Sequence, residues 1–190
     1  MTAELSTDRL TLRGWRNADF DPLARFLADD DLNRYRGPGR GVSRDEAWAA
    51  LLEFAGQWPL RGYGIFAVEE KSQGKLIGWA GLWHPANLSE PEMAWSLFGE
   101  AQGKGYAAEA ARRVLRWAAD DMKLPPLFSF VHPNNSPSRR LAERLGARLE
   151  TETVFRGQPR LLYRHVLGGE ENKSKRSGSD EQRSSNPCQS

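Results

Sequence analysis

Along this chain apolar residues alternate with polar ones in some stretches and recur every three or four positions in others. The two rhythms predict strands and helices in a mixed order. Leu10, Thr11, Leu12 and Arg13 alternate as a strand. The helix after it opens at Asn17 or Asp19 and carries Phe20, Leu23, Phe26 and Leu27 on one stripe. Beyond the glycine-rich residues 37–41, Ser43 and Glu46 have capping-box spacing. They open a helix with Ala47, Leu51 and Phe54 on one face, and Pro59 is expected to end it. Residues 63–69 and 76–83 read as two strands of a hairpin about the polar turn 71–74, and residues 92–97 as a further strand. Next comes a helix with Ala107, Ala110, Ala111, Val114, Leu115, Ala118 and Met122 on its buried stripe. Glu109, Arg112, Arg113, Arg116 and Asp120 are expected on its solvated side. Residues 127–131 form a short strand, and Ser136 is read as the cap of a last helix with Pro137 at its first position. Leu141, Ala142 and Leu145 line that helix and Gly146 stops it. Two strands, 149–155 and 160–167, are joined by residues 156–159.

This order describes an α/β fold (mixed α+β) of a single domain over residues 1–168, with a central mixed sheet of about six to seven strands flanked by helices. Residues 169–190 are mostly Glu, Lys, Ser, Arg, Asn and Gln, with no aromatic or branched apolar side chain. Such a segment cannot offset its ordering entropy by burial, so a disordered polar tail is expected there. At 190 residues the chain is too short for two ordinary domains. Its formal charge of +2, with the basic residues dispersed, gives no footprint for nucleic acid or a membrane surface. One cysteine, Cys188, permits no internal disulfide, and no apolar leader or long apolar run is present, so a cytoplasmic protein is expected. His132 and His165 lack partners at metal-ligand spacing, and no metal is expected.

The segment with chemical content is Gln102, Gly103, Lys104, Gly105, Tyr106 and Ala107, between a strand and a helix. Glycines let a backbone approach a ligand, and the unpaired N–H groups of a first helical turn, with the helix dipole, attract an anion. The segment is not a Walker sequence, since no Lys-Ser or Lys-Thr follows the second glycine, and Ala108 stands where a dinucleotide fingerprint has its third glycine. Taken alone it is either a phosphate cradle or a plain tight turn with a cap.

The spacing Gln102, Gly105, Ala107 resembles the acyl-CoA signature Q-x-x-G-x-A of the GCN5-related N-acetyltransferases. Glu92, Met93, Ala94 and Trp95 on the preceding strand are similar to that family's central motif, as are Glu109 and Ala110 after it. Pro133, Asn134, Asn135, Ser136, Pro137 and Ser138, continued by 141–146, resemble its second motif. Residues 7–13 are similar to the opening of the subgroup containing the ribosomal-protein N-terminal acetyltransferases. The likeness runs from Thr7 to Leu167. It implies splayed parallel strands, ending near Leu97 and Val131, with pantetheine in the gap. It implies that Leu97 and its strand pair with the pantetheine amides, that the amides of residues 103–107 hold the pyrophosphate with Lys104 near a phosphate oxygen, and that Asn135 secures the opposite wall.

The same resemblance implies acetyl-CoA as cosubstrate and an amine acceptor, either a protein N-terminus or a small molecule. A second copy of the chain is a further candidate partner. Acyl transfer from an ammonium requires removal of a proton at neutral pH. Glu92 matches the family's acidic position on the acceptor side and is the candidate base; its alternative is a carboxylate on a solvated strand end. Backbone N–H groups of residues 95–97 would meet the oxyanion. Many members place a tyrosine acid seven residues beyond the motif asparagine, where this chain has Ala142. Ser138 is the candidate substitute, against a hydroxyl that merely bonds its own backbone. His84 is a further candidate for the base or acceptor pocket, and Trp15, Tyr35 and Trp83 are candidate walls. A binding module that holds acyl-CoA without chemistry is the alternative to an enzyme, and a nucleotide-binding enzyme is a weaker one.

Overall fold

The computed structural model describes residues 2–166. The tail expected over 169–190, with Cys188, lies outside the described residues. The elements are β1 (Leu5–Ser6), β2 (Leu10–Arg13), a short 3-10 turn (Asn17–Asp19), α1 (Phe20–Leu27), α2 (Asp30–Asn33) and α3 (Arg44–Arg61). After them come β3 (Ile65–Glu70), β4 (Lys75–Trp83), β5 (Glu92–Leu97), α4 (Tyr106–Asp120), β6 (Leu127–Val131), α5 (Ser136–Arg144), β7 (Arg148–Phe155) and β8 (Gln158–His165).

The strands form one sheet of eight in the order β1-β2-β3-β4-β5-β6-β8-β7, more strands than the six to seven expected. The addition is β1, two residues long and too short to leave a periodic signal. Every neighbouring pair is antiparallel except β5 and β6. Those two run parallel and meet at one ladder position, Glu92 opposite Phe128, before they diverge. One face of the sheet packs on α4 through Leu12, Phe66, Val68, Leu82 and Met93 against Ala110, Ala111 and Val114. The other packs on α1 and α3 through Ile65 and Trp79 against Leu23, Phe26, Leu51 and Phe54. Alternate strand residues feed the two cores, as a twofold side-chain period requires.

Several local expectations shift for identifiable reasons. The Ser43–Glu46 capping box is formed, but Pro59 does not end α3. The helix continues to Arg61 and stops at Gly62, whose φ of 75° needs no Cβ. Asn135, not Ser136, caps α5, its side chain accepting from the Ser138 amide. Gly146 does stop that helix at φ 83°. The β7–β8 connection is only Arg156 and Gly157, both at positive φ (50° and 74°), because the strands extend inward to Phe155 and Gln158. Glu109 is not on a solvated face: it is half-buried and bonded to the N-terminal segment.

Candidate functional site

The divergence of β5 from β6 opens a cleft of about 1900 Å³. At its narrow end, side chains replace the missing ladder bonds. The Phe130 amide donates to Glu92 Oε1 (3.1 Å), and Ser129 Oγ donates to the Met93 carbonyl (2.5 Å). His165 Nε2 meets the same hydroxyl at 2.8 Å. With the Ser129 proton committed to Met93, that nitrogen is the donor and Nδ1 is left without a partner. Burial pushes His165 down to about 4, so it stays neutral.

On its other edge β5 pairs fully with β4 from Glu92 to Leu97. The Met93 and Leu97 carbonyls point toward β6, the first taken by Ser129 and the second by Gln102 Nε2 (3.0 Å). By the twofold alternation, the backbone N–H and C=O of Trp95 also face the gap.

The wide end is made of main chain. Gly103 and Gly105 adopt φ of 76° and 82°, the left-handed region in which a Cβ is strained. They turn the chain so that α4 begins with its amides outward. The Gln102 amide is bonded to the Gly99 carbonyl, and Glu109 donates to the Gly105 carbonyl. Among the described residues, the amides of residues 103–108 meet no protein acceptor. Gly103, Gly105, Tyr106 and Ala107 line the cleft, as do Leu97 and Gln102. Lys104 does not: its side chain lines a separate pocket behind the turn, with Glu70, Lys75 and Glu100.

A brace that the sequence did not reveal holds this turn. Glu109 accepts from Thr7 Oγ1 (2.6 Å), the Arg9 amide (3.0 Å) and Arg9 Nε (2.7 Å). Arg9 Nη1 donates to the Lys104 carbonyl (3.1 Å), and its guanidinium lies 4.5 Å over the Tyr106 ring. Burial alone would raise the Glu109 carboxyl, but the donors from Thr7 and Arg9 outweigh it and hold it low. Thr7 and Arg9 lie a hundred residues or more from Glu109 in the chain, so no local pattern signals the contact.

Glu92 is buried, not on a solvated strand end. Burial pushes its carboxyl up to about 7, against the opposing pull of the Phe130 amide and of Arg160, Arg156 and Arg36. One oxygen ties β5 to β6; among the described residues the second makes no protein hydrogen bond. On the opposite wall Asn135 and Ser138 line the cleft. The Ser138 amide donates to Asn135 Oδ1 (3.2 Å), and its hydroxyl makes no bond to protein among the described residues. Tyr35 stacks on His132 (4.9 Å) and Trp83 sits by Phe155, all four on the lining. Trp15 is elsewhere, bonded to the Ile65 carbonyl and stacked on Phe54. His84 is also off the cleft, with its ring nitrogens on Tyr63 Oη (2.6 Å) and the Leu88 carbonyl (3.1 Å). Among the described residues no group of His, Cys, Asp and Glu side chains is placed to hold a metal ion.

A splayed parallel pair above a glycine turn with open amides is the arrangement expected of an acyl-CoA cleft, and comparison with known proteins agrees. The family model for the acetyltransferase (GNAT) domain matches residues 9–148. The chain belongs to the GNAT acetyltransferases. Among solved structures, an acetyltransferase from Agrobacterium tumefaciens is 32% identical, covering 87% of this chain and 95% of its own, with a TM-score of 0.78. A ribosomal-protein-S5-alanine acetyltransferase from Vibrio fischeri shares the fold at 20% identity, covering 87% and 97%, with a TM-score of 0.70. So does a spermidine N-acetyltransferase from Vibrio cholerae, solved with CoA and spermine, at 22% identity, 83% and 94% coverage and a TM-score of 0.65. This GNAT protein is thus an acetyltransferase whose neighbours include the ribosomal-protein subgroup. Among its described residues no helix is long and apolar enough to cross a membrane.

Proposed function

We propose that this GNAT domain transfers an acetyl group from acetyl-CoA directly to a primary amine within a ternary complex. The observation that carries the reading is the row of unpartnered amides over residues 103–108 at one end of β5, with a carboxyl of pKa about 7 at the other. The amides and the dipole of α4 hold the donor's pyrophosphate. Asn135 steadies the far wall through the turn it caps, and the open backbone edge of Trp95 and Leu97 takes the amides of the donor arm.

Glu92, unprotonated, accepts the proton of the incoming ammonium, directly or through water. The amine nitrogen then bonds to the acetyl carbon, the negative charge on the carbonyl oxygen meets the Trp95 N–H, and the carbon–sulfur bond breaks. Sulfur leaves as thiolate and takes a proton from the Ser138 hydroxyl or from water, which is made good by the second proton that the nitrogen releases as the amide forms. The products are an amide, free CoA and one proton lost from the ammonium. A base with pKa near 7 is half ionised at working pH and returns its proton readily to solvent. Lys104, whose side chain turns away from the cleft, has no part in this scheme. No metal is required.

The reading is tested by incubating the protein with acetyl-CoA and a panel of amines while following free thiol. Thiol release that depends on an amine supports it; CoA uptake without thiol release would return the binding-only alternative. We also infer that the outer edge of β7, where Val154 is 70% and Leu149 50% exposed, is where a second copy would pair. Light scattering on the purified chain tests this.

A further inference from the structure

Three guanidiniums crowd the Glu92 end of the cleft, and they come from three separate segments. Arg36 follows α2, Arg156 occupies the β7–β8 turn, and Arg160 belongs to β8; all three line the cleft with Glu92. Arg160 is only 7% exposed, and its one hydrogen bond among the described residues goes to the adjoining Pro159 carbonyl at 3.3 Å. Arg36 is held 4.3 Å over the Trp79 ring, with Nη1 on Asn33 Oδ1 (2.7 Å). Arg156 lies 4.8 Å over Trp83. Among the described residues none of the three has a carboxylate oxygen within 4.0 Å, whereas Arg9, Arg13 and Arg164 each do.

A buried guanidinium without a counter-ion is costly, and its planar fork matches a carboxylate or phosphate. Glu92 is a single carboxyl, already bonded to β6, and cannot balance three cations. The donor's pyrophosphate cannot serve either. The glycine turn lies beyond Leu97, and five residue steps of β5 separate Leu97 from Glu92, roughly 16 Å at about 3.3 Å per residue. A polycationic amine would be repelled here. An amine tethered to an anion would be drawn in, and the surrounding cations would help it shed its proton.

We propose that the acceptor is a primary amine bearing its own carboxylate or phosphate, and that Arg160, Arg156 and Arg36 grip that anion while the amine faces Glu92. This rests on the acetyl-transfer reading above. The burial of Arg160 and the partial burial of Arg36 fit an anion as the missing partner: they depress both guanidiniums, Arg36 to about 10, although Glu92 pulls the other way.

The test compares kcat/KM for a set of amino acids, their carboxyl amides, aminoalkyl phosphonates and a linear triamine, with calorimetry of CoA run alongside. The anionic amines are expected to exceed the amides and the triamine by roughly tenfold or more. Acids ahead of phosphonates, or the reverse, names the anion. Arg160→Gln and the surface change Arg156→Gln should each raise the KM of the preferred amine about tenfold and leave that of acetyl-CoA unchanged. Arg160→Lys, which keeps the charge and loses the fork, should fall between. An amide or triamine acetylated equally well, or both glutamine variants with unaltered KM, overturns the proposal. Turnover of the amides or the triamine with none of any anionic amine overturns it alone; CoA uptake without thiol release from any amine, or no uptake of CoA, overturns the acetyl-transfer reading and this proposal together.

Discussion

The two ends of β5 are built by opposite means. Beyond Leu97 the site is main chain: two glycines at positive φ and a run of exposed amides, all within one short stretch of sequence. At Glu92 it is side chain: a buried carboxyl stapled to β6, with arginines arriving from three distant segments. A backbone device tolerates almost any neighbour and depends on φ. A side-chain device depends on burial and on charges assembled from afar. The first should therefore fail through the donor and the second through the proton.

The largest effect is expected at Glu92. Glu92→Gln should lower kcat about a hundredfold or more, with CoA affinity by calorimetry unchanged. For the parent, kcat/KM should rise with pH through about 7, since only the ionised carboxyl accepts a proton, and the variant should lose that limb. Stability should move the other way. The folded carboxyl has its pKa raised, so its favourable contribution is complete in acid and is lost as pH climbs from about 4.5 through about 7. The glutamine variant should gain up to about 3 kcal/mol over the parent between pH 4 and pH 8 in denaturant titrations. A stability difference between parent and variant that stays constant from pH 4 to pH 8 would contradict the burial argument.

At the other end, Gly105→Ala forces a side chain to φ 82° and sets its Cβ 3.5 Å from Arg9 Nη2. Roughly tenfold weaker acetyl-CoA binding is expected from about 1–2 kcal/mol of backbone strain, with the acceptor KM intact. Arg9→Gln should give a few-fold loss confined to the donor, because that side chain is half exposed and only steadies the turn. Ser138→Ala is expected to be mildest, a few-fold fall in kcat, since a thiolate leaves without much help. A loss in acceptor KM from either turn variant, or in CoA affinity from Glu92→Gln, would blur the division between the two ends.

The same division explains what the sequence disclosed. Helix stripes, the Ser43 box, the Gly146 stop and the strand-to-helix glycine turn are local patterns, and each was legible. So was the order of elements, while the parallel pair was implied by the family resemblance. Glu92 and Asn135 were picked out through resemblance to motifs, but the environment that raises Glu92 was not visible. The burial that raises it comes from distant segments closing over β5, as do the Phe130 amide and the Arg36 and Arg160 guanidiniums that oppose it, and nothing in their spacing announces that. The Glu109 misassignment has the same origin. Helical periodicity put it on the wet side, and only the return of the N-terminal strand beside α4 covers it. Lys104 is the reverse case: adjacency in sequence suggested the phosphate, yet the residue lines the pocket behind the turn and is not on the lining of the cleft.

The Thr7–Arg9–Glu109 brace links the fate of the chain's first residues to occupancy of the cleft. Since Arg9 grips the carbonyl of Lys104 from outside while a ligand would grip the amides from inside, each contact limits the freedom the other must suppress. Loading with CoA should consequently shield the amino-terminal strands from proteases, and trimming those strands should loosen the hold on CoA.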